Sequence, residues 1–301
     1  MMGHRTLLVA WILAFFSIAS GQEFTTHTYY QDDTTKLELD LFLPRADTVA
    51  SPLLIFVHGG GFGGGDRGGG HKLAAFLSKR GVAAASITYT LYMKDKPFGC
   101  DGYLHEKIKA IQIAANQLWL ATEYLVNRAD TFRIDPRKVF IAGSSAGAET
   151  ALHAAFWERR VMDLYGEPLD SLFRYSGVIS GAGAIMDLNL ITTETIIPVM
   201  LIHGDEDPLV PYGTAAHHYC DPCDPGWLML FGARSVYDHI QQLEGSVRLM
   251  TYKKQGHHIA GRHFYQDHYP VYGFIRDVLS GKRFQSHEII YPGDQSHPPL
   301  P

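Results

Sequence analysis

The stretch Lys138-Val-Phe-Ile-Ala-Gly143-Ser144-Ser145-Ala146-Gly147 decides the fold of this chain. Residues 139–142 form a short apolar run with a β-branched and an aromatic residue, which is typical of a buried strand. The run leads directly into Gly-Ser-Ser-Ala-Gly, and residues 148–157 have a helix-forming composition with an apolar face. A strand, a Gly-x-Ser-x-Gly turn and a helix in this order predict a nucleophile elbow centred on Ser145.

The predicted elbow suits a serine nucleophile for three physical reasons. A serine hydroxyl attacks poorly unless a tight turn exposes it to a base. Gly143 and Gly147 lack Cβ atoms, so the strand and the helix can approach closely. The N–H of Ala146 would stand at a helix N-terminus, where it stabilises an oxyanion. The alternative interpretation is a Ser/Gly-rich turn without chemistry.

Apolar strands alternate with amphipathic helices along the rest of the chain. The predicted strands are Thr25–Tyr30, Lys36–Leu43, Pro52–His58, Val82–Tyr89, Val139–Ala142, Tyr175–Ser180, Ile197–His203 and Val247–Tyr252. The predicted helices are Lys72–Lys79, Glu106–Asn127, residues 148–157, Ala233–Leu243 and Tyr269–Leu279. The first two strands predict an antiparallel pair at a sheet edge. The alternation that follows predicts an α/β fold, a mostly parallel central sheet with helices on both faces.

Two later strands open into turns that carry the partners a serine nucleophile requires. Residues 199–203 lead into the acidic turn Gly204-Asp205-Glu206-Asp207, and residues 247–252 lead into Gly256-His257-His258. Both turns follow the C-terminal ends of strands, where open α/β sheets place their ligands. The order serine, acid, histidine is that of a hydrolase triad in this fold.

Four motifs together carry a resemblance to a known family. They are His58-Gly59-Gly60-Gly61, Gly143-Ser144-Ser145-Ala146-Gly147, the run from His203 to Pro211, and Gly256-His257. With them the chain resembles the α/β-hydrolase superfamily over most of residues 25–284. Within it, the chain is similar to secreted carboxylesterases with an HGGG-type oxyanion motif, and most of all to bifunctional feruloyl and acetyl-xylan esterase-like domains.

The resemblance implies a serine esterase and assigns the triad. Ser145 is the implied nucleophile. In the family pattern the acid is the fifth residue of His-Gly-x-x-Asp, which is Asp207, and Asp205 then serves as a turn residue. The histidine directly after the glycine, His257, matches the base, whereas His258 occupies a position where the family tolerates many residues.

The resemblance also implies the oxyanion hole. Its donors are the N–H groups of Gly60 and Gly61 in the His-Gly-Gly-Gly loop, joined by Ala146. The implied chemistry requires no cofactor and no metal. The expected partner is a small-molecule or carbohydrate ester, possible substrates being acetyl or feruloyl esters of plant polysaccharides. The rivals are a lipase or peptidase of the same fold and an inactive hydrolase fold used for binding.

The N-terminus has the pattern of a secretory signal. His4 and Arg5 precede an apolar run over residues 7–18, and small residues follow as far as Gly21. We therefore expect a signal peptide over 1–21, a hydrolase domain over 22–285 and an extended, proline-rich tail over 286–301. The expected location is secreted or periplasmic, with an uncleaved anchor as the alternative.

Three cysteines, Cys100, Cys220 and Cys223, leave one thiol unpaired in an exported protein. Both segments that carry them are expected at the rim of the sheet's C-terminal edge, which favours a Cys100–Cys220 bridge. Cys100–Cys223 and Cys220–Cys223 remain open. A C-x-x-C redox pair is less favoured, because Cys220 and Cys223 lie in a predicted irregular loop and not at the start of a helix after a strand. A zinc cluster with His217 and His218 is also less favoured, because export favours disulfides over thiolate metal sites.

Composition limits the remaining partners. The chain has 301 residues, a formal net charge of -5 and no basic run, so nucleic acid is not expected as a partner. No second apolar span follows the N-terminal one, so no stable membrane insertion is expected. The acyl group, the alcohol and the oligomeric state stay open.

Overall fold

A computed structural model of the protein describes residues 24–45, 49–166, 169–170 and 172–293. The predicted signal segment 1–21 and residues 294–301 of the predicted tail lie outside these ranges. None of the described helices combines the length and the apolar composition required to cross a bilayer.

Nine strands of the described part form one twisted sheet in the order β1-β2-β4-β3-β5-β6-β8-β11-β12. Their bounds are β1 Thr25–Gln31, β2 Lys36–Phe42, β3 Ser51–Val57, β4 Ala83–Ile87, β5 Ile134–Ser144, β6 Gly177–Gly181, β8 Val199–Gly204, β11 Val247–Tyr252 and β12 Gln285–Ile290. β2 runs antiparallel to β1 and β4, and the remaining neighbours are parallel. This architecture confirms the predicted α/β-hydrolase fold.

Helices cover both faces of the sheet. Their bounds are α1 His71–Ser78, α2 Leu104–Val126, α3 Ala129–Phe132, α4 Ala146–Phe156, α5 Arg159–Met162, α6 Ala233–Gln242, α7 Arg262–Tyr265 and α8 Tyr269–Leu279. Because side chains alternate along a strand, Ile55 of β3 packs in the core under α2, α4 and α6, while Phe56 packs in the core under α1, α7 and α8. Burial on both faces explains why the central strands are continuous apolar runs.

Two parts of the structure differ from the sequence-based expectation. A small second sheet has the order β7-β10-β9, with β7 Ala184–Ile185, β9 Thr214–Ala216 and β10 Met229–Gly232. β9 lies between the predicted strand Ile197–His203 and the predicted helix Ala233–Leu243, in a stretch for which the sequence predicted no element. β12 occupies the start of the predicted tail, since Ile289 and Ile290 pair with Thr251 and Tyr252 of β11. The sheet therefore continues to Ile290, because these β-forming residues complete an open parallel edge.

Candidate active site

Ser145 stands at the sharp turn between β5 and α4. Its backbone has φ 54° and ψ −121°, a combination that residues other than glycine rarely adopt. Three backbone hydrogen bonds hold this conformation: Ser145 N–H donates to the Gly181 carbonyl at 2.7 Å, and the Ser145 carbonyl accepts from Ala148 at 2.7 Å and Glu149 at 3.0 Å. The strained turn therefore fixes the direction of the Ser145 hydroxyl.

The two glycines that flank the turn are required because a Cβ atom would clash with neighbouring backbone, and not because the backbone must be flexible there. A Cβ at Gly143 would lie 2.1 Å from the carbonyl oxygen of Gly147, and a Cβ at Gly147 would lie 2.2 Å from that of Val57. Either distance is impossible, so any other residue would push the start of α4 away from β3 and β5.

Ser145, His257 and Asp207 form a continuous hydrogen-bonded chain. Ser145 Oγ lies 2.7 Å from His257 Nε2, and His257 Nδ1 lies 2.7 Å from Asp207 Oδ2. Because a carboxylate only accepts, His257 Nδ1 carries the hydrogen, and Nε2 is free to accept from the serine. The structure thus brings together the three side chains that the sequence predicted as a triad.

The Asp207 carboxylate is buried but richly hydrogen-bonded. Its Oδ1 accepts from the N–H groups of Leu209 at 2.9 Å and Val210 at 3.0 Å, and its Oδ2 also accepts from His203 Nε2 at 3.2 Å. Burial acts to raise the pKa of Asp207, but the hydrogen bonds from His203 and His257 outweigh it and lower the pKa well below its usual range. Asp207 therefore remains an anion and is suited to hold the His257 ring in its orientation.

The neighbouring acid and histidine do not reach Ser145. Asp205 Oδ1 accepts from the N–H of Lys254 at 2.6 Å, and its Oδ2 pairs with Lys253. The exposed His258 lies with Nε2 3.0 Å from Gln255 Oε1. Asp205 thus links the turn after β8 to the segment after β11 instead of capping N–H groups of its own turn, and His258 points away from the chain of hydrogen bonds.

The predicted oxyanion loop lies against the elbow. Gly60 and Gly61 have positive φ angles of 115° and 58°, and a Cβ at Gly59 would lie 2.8 Å from the Ser144 carbonyl oxygen. Within the described residues, the loop N–H groups of Gly60 and Gly61 have no backbone acceptor. Both glycines and Ala146 line the same cavity as Ser145. The structure therefore places all three candidate donors beside the candidate nucleophile.

That cavity has a volume of about 760 Å³. Its wall includes Glu149 and His217, two residues that the sequence analysis did not assign to the site. The position of Glu149, four residues after Ser145 on the same helix, was an available signal, because such residues lie one turn apart on one face. The sequence around His217 contains no pattern that predicts its position beside Glu149.

A disulfide joins two loops at the rim of this cavity. Cys100 and Cys220 are bridged with their Cα atoms 5.2 Å apart, as the favoured pairing predicted, and Cys223 is exposed and free. Cys220 is therefore not available as a thiolate for a zinc cluster or for a C-x-x-C redox pair. The residues just before Cys220 are His217 and His218, both in the cavity wall.

Comparisons with known proteins agree with this fold. The propionate-bound esterase Est2 of the planctomycete Thermogutta terrifontis superposes with a TM-score of 0.62 at 15% identity, covering 86% of this chain and 94% of that chain. The same esterase phosphorylated by paraoxon superposes with a TM-score of 0.62 at 14% identity, covering 86% of this chain and 94% of that chain. At such low identity the likeness concerns the fold.

Two curated plant proteins are similar in sequence. A probable isoprenylcysteine α-carbonyl methylesterase of Oryza sativa subsp. japonica is 30% identical over 147 residues, 48% of this chain and 31% of that protein. An isoprenylcysteine α-carbonyl methylesterase of Arabidopsis thaliana is 28% identical over 137 residues, 46% of this chain and 29% of that protein. The chain thus spans about a third of the length of these relatives. The family model described as BD-FAE matches residues 39–196, more than half of this chain, and so the chain belongs to the BD-FAE family.

Proposed function

We propose that this protein is a secreted serine esterase that hydrolyses carboxylic esters through an acyl-enzyme on Ser145. The observation that carries the proposal is the chain of two 2.7 Å contacts from Ser145 Oγ through His257 to Asp207. The sequence similarity to two plant methylesterases supports the same class of reaction.

In the proposed reaction, Ser145 Oγ attacks the ester carbonyl carbon while His257 Nε2 takes the hydroxyl proton. Asp207 stabilises the imidazolium that forms, through the bond to Nδ1. The carbonyl oxygen becomes an oxyanion that the N–H groups of Gly60, Gly61 and Ala146 stabilise. His257 then returns the proton to the leaving alcohol, which breaks the ester bond. Water repeats both steps on the acyl-enzyme and releases the acid.

An active-site label with a matched pair of variants tests this proposal. An alkyl fluorophosphonate should label the wild-type protein and Ser144→Ala, but not Ser145→Ala. Ser145→Ala should also lose ester turnover by a factor on the order of 10⁴ or more, with an unchanged thermal melting curve. An unlabelled wild type would favour an inactive binding module, and labelling that persists in Ser145→Ala would contradict the assignment of the nucleophile.

For the substrate we propose acetyl or feruloyl esters of plant polysaccharides. The similarity of the four sequence motifs to feruloyl and acetyl-xylan esterase-like domains supports this choice. A panel of p-nitrophenyl esters of rising chain length, methyl ferulate, acetylated xylan and an isoprenylcysteine methyl ester decides it. Preference for the last, the class of compound in the plant relatives' names, would replace our choice. Preference for long acyl chains would favour a lipase, and cleavage of a peptide substrate a peptidase.

We also propose that the protein is exported, to the outside of the cell or to the periplasm. The signal-like pattern of residues 1–21 and the Cys100–Cys220 disulfide both support an oxidising destination. Expression of the full chain followed by mass spectrometry of the extracellular or periplasmic fraction should find a mature protein that begins near Gln22. Retention of the intact N-terminus in the cytosolic fraction would contradict export.

A further inference from the structure

Two buried side chains in the cavity wall have polar atoms without partners. Glu149 is 1% exposed and His217 is 1% exposed. Glu149 Oε1 lies 3.5 Å from His217 Nε2, yet within the described residues neither Glu149 Oε1 nor His217 Nδ1 makes a hydrogen bond. Buried polar atoms are almost always paired, so a pair that is left open beside a catalytic serine indicates a place for a ligand group.

The protein holds both side chains in place. Glu149 lies one turn along α4 from Ser145, and its N–H donates to the Ser145 carbonyl. His217 N–H donates to the Leu228 carbonyl at 2.8 Å, and the Phe98 ring packs edge-on against the imidazole at 5.1 Å. The Cys100–Cys220 disulfide joins the loops that carry Phe98 and His217. A turn of α-helix rises about 5.4 Å, so the pair lies within a few bonds of the scissile carbonyl.

The charge of the pair favours a neutral ligand. Burial raises the pKa of Glu149 to about 8, against the attraction of the Lys107 ammonium, which favours the anion. Burial also lowers the pKa of His217 well below its usual value, so the imidazole is neutral. Around neutral pH the pair is therefore a carboxylic acid beside a neutral imidazole. Lys107 itself is occupied, since its Nζ donates to the Gly226 carbonyl at 2.6 Å.

We propose that Glu149 and His217 form a subsite that recognises a hydroxyl group of the ester substrate, whose oxygen lies three or four bonds from the carbonyl carbon. This inference rests on the proposed esterase function. A hydroxyl both donates and accepts, so it can pair with either open atom whichever tautomer His217 adopts and whichever oxygen of Glu149 is protonated. A hydrocarbon group at the same place would leave both atoms buried and unpaired.

Matched esters test the subsite on both sides of the scissile bond. The alcohol-side pair is 2-hydroxyethyl acetate and propyl acetate, and the acyl-side pair is ethyl 3-hydroxypropanoate and ethyl butanoate. Each pair differs by a hydroxyl in place of a methyl group. Acid release followed by pH-stat titration should give the wild type a kcat/KM at least about tenfold higher for the hydroxyl ester of one pair, because polar sites discriminate strongly against partners that leave them unpaired. Ratios at or below one in both pairs would overturn the subsite.

Three variants and one control variant test whether any preference comes from the proposed pair. Glu149→Leu and His217→Phe should each reduce the preference to near one, and Glu149→Gln should retain part of it, because the amide keeps a donor and an acceptor. Gln266→Leu, on the exposed rim, should leave the preference unchanged. A wild-type preference that survives in both Glu149→Leu and His217→Phe would overturn the assignment. If Glu149→Leu does not fold, the hydroxyl preference of His217→Phe compared with that of the wild type decides the assignment.

Fluorophosphonate labelling distinguishes an error in the proposed subsite from an error in the proposed esterase function. A labelled protein that turns over the esters without a hydroxyl preference contradicts the subsite alone. A protein that is not labelled and turns over none of the four esters contradicts the esterase function.

Discussion

His203 and Asp207 are joined at the end of β8, where His203 Nε2 lies 3.2 Å from the same carboxylate oxygen that accepts from His257. The second neighbour of His203 Nε2 is the Val210 carbonyl oxygen at 3.1 Å. Both neighbours accept, so this nitrogen carries a hydrogen and donates. His203 is fully buried, and it therefore acts as a positioning residue that holds Asp207 from inside the sheet.

We expect His203→Phe to lower kcat without abolishing it. The ring is kept against Tyr212, which it meets edge-on at 5.7 Å, but the hydrogen bond to Asp207 is lost. A hydrogen bond to a charged group is worth about 1.5–3 kcal/mol, which corresponds to a loss of roughly tenfold to a hundredfold in rate. Without that bond the pKa of Asp207 rises, so the loss should grow as the pH falls. Steady-state kinetics from about pH 3 to about pH 8 measure both effects, because the wild-type pKa of Asp207 lies well below its usual range and its rise is visible only at acid pH.

The matched control is His203→Gln, whose amide nitrogen can replace Nε2 as a donor to Asp207. It should recover a large part of the rate and of the wild-type pH profile. Equal losses in the two variants, without a change in pH profile, would mean that His203 contributes only to packing.

The neighbouring acids and histidines should differ sharply in effect. Asp207→Asn and His257→Ala should each reduce turnover by about 10⁴, because either change breaks the hydrogen-bonded chain to Ser145. Asp205→Asn and His258→Ala should remain within a few-fold of wild type, since neither side chain contacts that chain. Asp205→Asn should instead cost at most about 1 kcal/mol of unfolding free energy, because the amide oxygen can still accept from the Lys254 N–H but the ion pair with Lys253 is lost. Comparable rates for Asp205→Asn and Asp207→Asn, or for His257→Ala and His258→Ala, would contradict the assignment.

The part of the site that the sequence predicted follows from local patterns. The elbow, the acidic turn and the Gly-His turn each follow a strand whose apolar run is recognisable by itself, and parallel strands bring their ends to one edge. Ser145, Asp207 and His257 are therefore placed together by topology, before any side-chain contact is known.

The remaining features depend on contacts between distant segments. β7 and β9 have two and three residues, too few for a periodic pattern, and each exists because β10 lies beside it. β12 depends on the open edge of β11. The pairing of Glu149 with His217 depends on a loop whose course is set by the disulfide and by Phe98. No local pattern encodes such contacts.

The disulfide should stabilise the fold and shape the cavity without supporting the triad. The bridge closes a loop of 120 residues, for which chain entropy gives a contribution of roughly 4–5 kcal/mol as an upper value. The double variant Cys100→Ser/Cys220→Ser should therefore melt at a clearly lower temperature. It should keep turnover of p-nitrophenyl acetate and lose selectivity between hydroxyl and hydrocarbon esters. Cys223→Ser, at an exposed position, is the control and should match wild type in both measurements. A double variant that melts and selects like this control would contradict the role of the bridge.

The buried carboxyl of Glu149 should make stability fall as the pH rises. Its pKa is 4.5 in a solvated reference and about 8 in the folded protein, where burial raises it. Below about pH 4.5 both states hold the proton and Glu149 has no effect. Between pH 4.5 and about pH 8 the unfolded chain releases the proton while the folded protein keeps it, so folding is opposed by at most about 1.4 kcal/mol per pH unit.

Glu149→Gln keeps the shape of the side chain and cannot ionise, so it should gain stability relative to wild type as the pH rises from 5 to 8. Urea unfolding at pH 5, 6.5 and 8 measures this gain, with Glu158→Gln at an exposed position as the control that should show no trend. A stability difference between Glu149→Gln and wild type that stays constant with pH would mean that Glu149 is ionised in the folded protein, paired with Lys107.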